Sequence, residues 1–326
     1  MWRQSKRRPR RRKSKRTGRR CERRSVKLAV TGGTGFVGSH FIKAALAAGH
    51  QARALARRPQ PAQPGLEWLP GSLEDGRSLQ RLVEDSDAVV HIAGVINARD
   101  PAAFETGNVA GTLTVLAAAT AAGTARFVHV SSLAAREPTL SRYGGSKAKA
   151  EALVEGSGLD WTIVRPPAVY GPGDKETLEL FKMAKRRLML LPPRGRVSMI
   201  HARDLARLLL ALAEAEQPER VTYEPDDGRP GGWSHKELAH SIGKAVGRRN
   251  LALSVPARLM RVGATIDQLV RREKAKLSAD RAAYFSHTDW VARPELQPQP
   301  GLWAPRIPTA QGLADTARWY QQQGWL

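Results

Sequence analysis

Tyr143 and Lys147 stand four residues apart in Tyr143-Gly144-Gly145-Ser146-Lys147. On a helix that spacing brings a phenol and an ammonium onto one face. A free phenol titrates near ~10, and a neighbouring positive charge favours its ionised form. The pair can therefore exchange a proton with a substrate oxygen. The bland alternative is an i,i+4 ion pair between Lys147 and Glu151 on a solvated face. Just upstream, Phe127-Val128-His129-Val130-Ser131-Ser132 ends a buried-strand pattern on two hydroxyls. A hydroxyl at that point can hydrogen-bond an oxygen on which charge develops.

A second group of residues suits a dinucleotide. Thr31-Gly32-Gly33-Thr34-Gly35-Phe36-Val37-Gly38 directly follows Val26-Lys27-Leu28-Ala29-Val30 and opens a helical pattern. In that setting glycines permit a tight turn, close approach of a pyrophosphate and close helix packing, and the helix start offers free N–H groups. The end of the second strand separates the two nicotinamide cofactors. An acid there would bind the ribose hydroxyls of NAD, whereas arginine would pair with the extra phosphate of NADP. No Asp or Glu occurs between Gly38 and Glu67; Ala56 stands about where the acid would be, followed by Arg57 and Arg58. Guanidinium groups bind phosphate in bidentate fashion, which predicts NADP(H). The alternative is that both arginines solvate a loop before Pro59.

These residues need a scaffold that brings strand ends together. From Val26 onward short β-branched runs alternate with alanine- and leucine-rich stretches, predicting an α/β fold with a Rossmann-type doubly wound parallel sheet and a smaller C-terminal substrate lobe. Expected strands are 26–31, 51–56, 66–69, 88–92, 126–131 and 161–164. Expected helices are 35–48, 79–84, 109–122 and 143–156, with 204–216 and 234–246 further on. The organisation read from this pattern is a basic tail over 1–24, an NADP-binding domain over 25–170 and a substrate lobe over 171–326, with a possible strand return to the main sheet.

Composition narrows the class. The 326 residues include one cysteine, Cys21, which excludes disulfide frameworks and cysteine metal sites; no metal is expected, and the location expected is the cytoplasm. The net charge of +23 is uneven: residues 1–24 hold 14 Lys and Arg against the single acid Glu22. Such a block cannot fold by burial. It reads as a polyanion-binding arm, as an organelle presequence or as an extension without a role. Nucleic acid is not expected as a partner.

Together with the glycine turn, the serine-ended strand and the Tyr-x-x-x-Lys pair, other pieces carry a family resemblance: His91-Ile92-Ala93-Gly94, Asn108-Val109-Ala110-Gly111-Thr112 and Arg165-Pro166-Pro167-Ala168-Val169-Tyr170-Gly171-Pro172-Gly173. From about Val26 to its C-terminus the chain resembles the extended and atypical short-chain dehydrogenases/reductases, the NAD-dependent epimerase/dehydratase-like kind. The resemblance implies that Tyr143 donates a proton to a carbonyl as hydride arrives from the nicotinamide, and that Lys147 binds the nicotinamide ribose. It favours Ser132 over Ser131 as the oxyanion partner. Asn108 would hold a water in the proton path or, equally, cap the following helix. Leu73, Ala93, Gly94, Pro166 and Val169 would join the turn in cofactor binding. Two departures matter. Gly71-Ser72-Leu73 lacks the acid often placed near the adenine, leaving that task to backbone groups or Asp75. Leu133-Ala134-Ala135-Arg136 follows Ser132 where sugar-nucleotide enzymes often carry Tyr-Gly, which weighs against an epimerase or dehydratase.

Val197-Ser198-Met199-Ile200-His201-Ala202-Arg203-Asp204-Leu205-Ala206 and Trp319-Tyr320-Gln321-Gln322-Gln323-Gly324-Trp325-Leu326 are similar to a branch related to the nucleotide-binding accessory subunit of respiratory complex I, a branch that includes bacterial ceramide reductases. That likeness implies a hydrophobic or lipid ketone as substrate, such as the 3-keto group of an oxidised ceramide. Asp204 is expected to cap the next helix and His201 to pack at a strand end. Residues 178–191 and 256–276 mix leucines with lysines and arginines; as basic amphipathic helices they would either touch an anionic membrane surface or bury their apolar stripes in the lobe. Two rival readings stay open: a catalytically silent nucleotide-binding subunit, and a redox-sensing or RNA-associated regulator that uses the basic tail.

Overall fold

The computed structural model describes residues 25–98, 100–124, 126–215, 220–259, 262, 265 and 279–326; the basic block 1–24 lies outside them. Short runs of Val, Ile, Leu and Ala form β1 (Lys27–Thr31), β2 (Gln51–Ala56), β3 (Leu66–Pro70), β4 (Ala88–His91), β5 (Arg126–Val130) and β6 (Asp160–Val164). With β11 (Val221–Tyr223) they make one seven-stranded parallel sheet in the order β11-β6-β5-β4-β1-β2-β3. Successive strand residues point to opposite faces, so every central strand feeds two cores. Leu28, Val30, Val90, Val128 and Val130 pack with Phe41 of α1 (Phe36–Ala47) and Leu205 and Leu209 of α7 (Ala202–Glu214). Ala29, Val89, Phe127 and Ile163 pack with α2 (Gly76–Val83) and α4 (Gly111–Ala121) on the other face.

Strand order reverses between β1 and β4, which opens a crevice at the carboxyl ends of the strands. The glycine turn ends β1 there, and the two serines end β5 two strands away. Residues beyond 170 also join this sheet: β11 is its edge, parallel to β6, and α7 covers its face. The remaining C-terminal elements build a third core, in which Phe181 of α6 (Leu178–Lys185), Met189 of β8 (Leu188–Leu191), Ile242 of α8 (His235–Ala245) and Tyr320 of the last helix (Thr309–Gln322) meet Tyr170.

Three expectations are corrected by capping and turn chemistry. Helix α2 starts at Gly76 rather than 79, because the Asp75 side chain accepts the Arg77 N–H at 3.0 Å and caps it. Residues 178–191 are not one helix. Arg187 adopts a left-handed φ of 63° and turns the chain from α6 into β8, which pairs with β13 (Leu251–Ser254). Asp204 does not cap α7; His201, at the end of β10 (Met199–His201), does so by accepting the Arg203 N–H at 3.1 Å.

Asp204, 1% exposed, instead binds a distant segment: Oδ2 accepts the N–H groups of Arg306 and Ile307, each at 2.9 Å, and Oδ1 accepts Arg207 at 2.6 Å. Asp204→Ala would leave the half-buried Arg306 and Ile307 N–H groups without their acceptor and is expected to cost about 1–3 kcal/mol, read as the loss of unfolding free energy in urea. An unchanged midpoint would show that the segment 303–307 is held by other contacts.

Candidate active site

Helix α5 (Arg142–Glu155) begins where Ser141 accepts the Gly144 N–H at 3.0 Å. A Cβ on Gly144 would lie 2.6 Å from the Ala134 carbonyl, so only glycine lets α5 approach the turn that follows β5 this closely. That approach puts the Tyr143 phenol in hydrogen-bonding contact with Ser132, whose hydroxyl also caps the short 3-10 turn Leu133–Arg136. Burial pushes the phenol pKa up, and the Ser132 hydrogen bond opposes the shift. Ser131 Oγ is buried without a hydrogen-bond partner. Lys147 is 4% exposed and its Nζ donates to the Val130 carbonyl at 2.8 Å. Burial lowers its pKa to about 8, against the raising influence of the Glu151 charge. Glu151 is not a surface partner of Lys147: it is buried and takes Arg165 in a two-pronged pair at 2.9 and 2.7 Å.

The expected cofactor residues gather at the same edge. A Cβ on Gly38 would lie 2.1 Å from the Gly32 carbonyl, so α1 can close on the turn only without a side chain there. Gly35 caps α1 with no side-chain acceptor, leaving the first-turn N–H groups for a ligand. Gly94 sits beside α5, its added Cβ falling 3.5 Å from Lys147 Nζ and 3.1 Å from Asn108 Oδ1. Arg57 and Arg58 are exposed just past β2, whose register sets Ala54 beside Val30 of β1, so both follow the strand next to the turn. Leu73 packs against Gly111 at the start of α4. Pro166 accepts the Leu133 N–H at 3.1 Å, which brings the segment after β6 against the Ser132 turn. Val169 lies in β7 (Ala168–Tyr170), paired with Ile200. Asp75 is engaged as the α2 cap.

Asn108 caps no helix. It lies in a π-helical stretch, Glu105–Ala110, between α3 (Ala102–Phe104) and α4. Its Oδ1 accepts the Val95 N–H at 2.6 Å, and its Nδ2 donates to the Val95 carbonyl at 3.0 Å and to Ser146 Oγ at 2.8 Å. The Asn108 carbonyl accepts the Thr112 hydroxyl at 2.6 Å, so Thr112 must receive the proton of His91 Nε2 at 3.0 Å. His91 Nδ1 is then the acceptor for Thr31 Oγ1 at 2.6 Å, and Thr31 in turn accepts the Ala93 N–H at 3.3 Å. Burial, with the Lys147 charge, lowers the His91 pKa to about 3, so the imidazole is neutral at neutral pH. This wire, from the glycine turn to the π-helical stretch, carries no signal in the sequence, because each member is an ordinary residue type.

Three residues that carry no motif adjoin the Arg142–Tyr143 end of α5. Phe104 lies with its ring centre 6.3 Å from that of Tyr143. Asp280, in the helix Ala279–Ser286, accepts the Arg142 N–H at 2.7 Å. Tyr284 of that helix stacks on Trp290 at 4.6 Å, and its phenol is raised by burial and by the charge of Tyr143.

The NAD(P)H-binding family matches residues 32–216. A ceramide reductase of Caulobacter vibrioides is 36% identical over 92% of this chain and 96% of its own. The chain belongs to the NAD(P)-binding, epimerase/dehydratase-like short-chain dehydrogenases/reductases. Sterol demethylase protein B of Methylococcus capsulatus is 30% identical over 91% of this chain and 99% of its own. Among solved structures, MoeE5 in complex with UDP-glucose and NAD has the same fold, with a TM-score of 0.72 at 21% identity, covering 92% of this chain and 99% of that one. This oxidoreductase therefore shares a Rossmann-type sheet with its relatives.

The buried ammonium has a consequence for stability. The unfolded lysine holds its proton up to the ordinary 10.5, the folded one only to about 8. Between these values the unfolded chain binds more protons, so this group favours the folded state increasingly as pH rises from about 8 towards 10.5. Lys147→Met should remove that rise, seen as a flatter dependence of melting temperature on pH over that window. An identical pH profile in the two proteins would show that Lys147 titrates as an ordinary lysine.

Proposed function

We propose that this protein is an NADP(H)-dependent carbonyl reductase acting on a hydrophobic ketone, with the 3-keto group of an oxidised ceramide as the specific substrate. The observation that carries the reading is the set of Ser132, Tyr143 and Lys147 at the carboxyl edge of the sheet beside the glycine turn. The turn fits a dinucleotide: α1 starts with uncapped N–H groups, Gly38 leaves no side chain in the way, and Lys147 sits beside Gly94.

When bound, the nicotinamide dinucleotide supplies the hydride. The raised pKa keeps Tyr143 protonated at neutral pH, so it donates its proton to the carbonyl oxygen. Ser132, hydrogen-bonded to the phenol, stabilises the charge that develops on that oxygen. Lys147 offsets the phenolate left behind and binds the nicotinamide ribose. Asn108 holds Val95 and Ser146 in register around that lysine, and Arg57 and Arg58 bind the 2′-phosphate. The named activity of the Caulobacter relative supports the ceramide assignment, and Phe104 and Tyr284 supply apolar surface beside the donor. A silent nucleotide-binding subunit would have no physical need for Ser132, Tyr143 and Lys147 together.

Tyr143→Phe removes only the proton donor and should lower kcat by about 100-fold or more while leaving the NADPH Kd unchanged; full turnover would refute the assigned donor. The parent should bind NADPH more tightly than NADH. Replacing Arg57 and Arg58 together by alanine should weaken NADPH about tenfold and leave NADH untouched, by fluorescence titration. Equal affinities in the parent would overturn the preference for NADP(H).

A further inference from the structure

Among the described residues eight large hydrophobic side chains are exposed, and six fall in two stretches of the C-terminal half: Leu188 (45%), Leu190 (53%), Leu251 (60%), Leu253 (45%), Leu259 (60%) and Val262 (54%). β8 and β13 run parallel with Leu188 opposite Leu251 and Leu190 opposite Leu253. Alternation along the strands therefore sets four leucines on one outer face, while Met189 and Leu191 turn into the third core. A strand covered on one side ordinarily carries polar residues on the other. Here both sides are apolar.

The charge around this face has one sign. Arg186 and Arg187 precede β8, Arg248 and Arg249 precede β13, and parallel pairing puts all four at the same end of the leucines. Arg194 and Arg258 follow the strands at the other end. No Asp or Glu occurs between Glu179 and Asp204, or between Glu237 and Asp267. No helix among the described residues is long and apolar enough to cross a membrane.

We infer that the leucine face and its arginine rim dock this enzyme on an anionic membrane surface. A second copy of the chain would cover the leucines, but a two-fold contact would set the arginine rim against itself. An anionic bilayer satisfies both the apolar face and the charge. Beyond Val262 the chain leads to the helix Ala279–Ser286, whose Asp280 and Tyr284 adjoin the Arg142–Tyr143 end of α5. The inference deepens the reading of a lipid ketone as substrate, and its test is read without turnover, so that failure of one is distinguishable from failure of the other.

The full chain is floated with vesicles of phosphatidylcholine alone or with phosphatidylglycerol added. Partition onto the anionic vesicles is expected to be at least about tenfold stronger. The double variant Leu190→Gln, Leu253→Gln should reduce it by about tenfold or more, at unchanged melting temperature and NADPH binding. That pair keeps every positive charge, including those of residues 1–24, so the loss reports the leucine face and not the basic block. Arg248→Ser with Arg249→Ser should weaken binding to anionic vesicles and leave neutral ones unaffected. Equal partition of parent and leucine variant overturns the inference. So does a parent dimer that the leucine variant dissociates without any change in vesicle binding.

Discussion

Lys147 carries its ammonium almost wholly out of water, where the Val130 carbonyl accepts its hydrogen bond. Taking such a charge from water costs several kcal/mol unless it is well partnered, and the depressed pKa near 8 is that cost expressed in protons. Much of the site follows from keeping this group in place. β5 must end with its carbonyl aimed at α5, α5 must approach closely enough to need glycine at 144, and Glu151 must be held by Arg165. Because Glu151 is engaged elsewhere, the ammonium keeps hydrogen-bonding capacity for a ligand at the strand edge.

The hydrogen-bond wire through Thr31, His91 and Thr112 serves the same geometry from the other side. Every proton in it has one consistent direction, which requires a neutral His91 with its hydrogen on Nε2. A buried network satisfied throughout is rigid. It couples the glycine turn to the π-helical stretch, and Asn108 extends that coupling to Ser146, one residue before the buried lysine. The glycine turn and α5 are therefore positioned by one connected set of side chains.

A second buried cluster ties the late part of the chain to the same helix. Glu224, fully buried after β11, lies 3.3 Å from Arg136 and 3.6 Å from Arg165 and accepts the Arg293 N–H at 2.9 Å. Arg136 also donates to the carbonyls of Asp289 and Val291. The turn after Ser132, α5 through the Glu151–Arg165 pair, and the segment 289–293 share these charges, so moving one would leave a buried ion unpaired.

Local pattern was enough for the frame. The β-branched runs, the glycine turn after β1, the four-residue interval between Tyr143 and Lys147 and the acid-free stretch around Arg57 and Arg58 are all written over short spans. The physics they report, strand burial, turn geometry and helix periodicity, is local too. What only tertiary structure decided depends on partners far apart in the chain. Asp204 reads as a cap until Arg306 and Ile307 arrive at its carboxylate. Lys147 with Glu151 reads as a surface pair until Arg165 takes the glutamate, and Asn108 reads as a helix cap until Val95 and Ser146 use its amide. The leucines of residues 188–191 fit a helix face or a strand equally well; pairing with β13 made them a strand and left Leu188 and Leu190 facing outward. Periodicity states which residues can share a face, and only the folded chain states what that face meets.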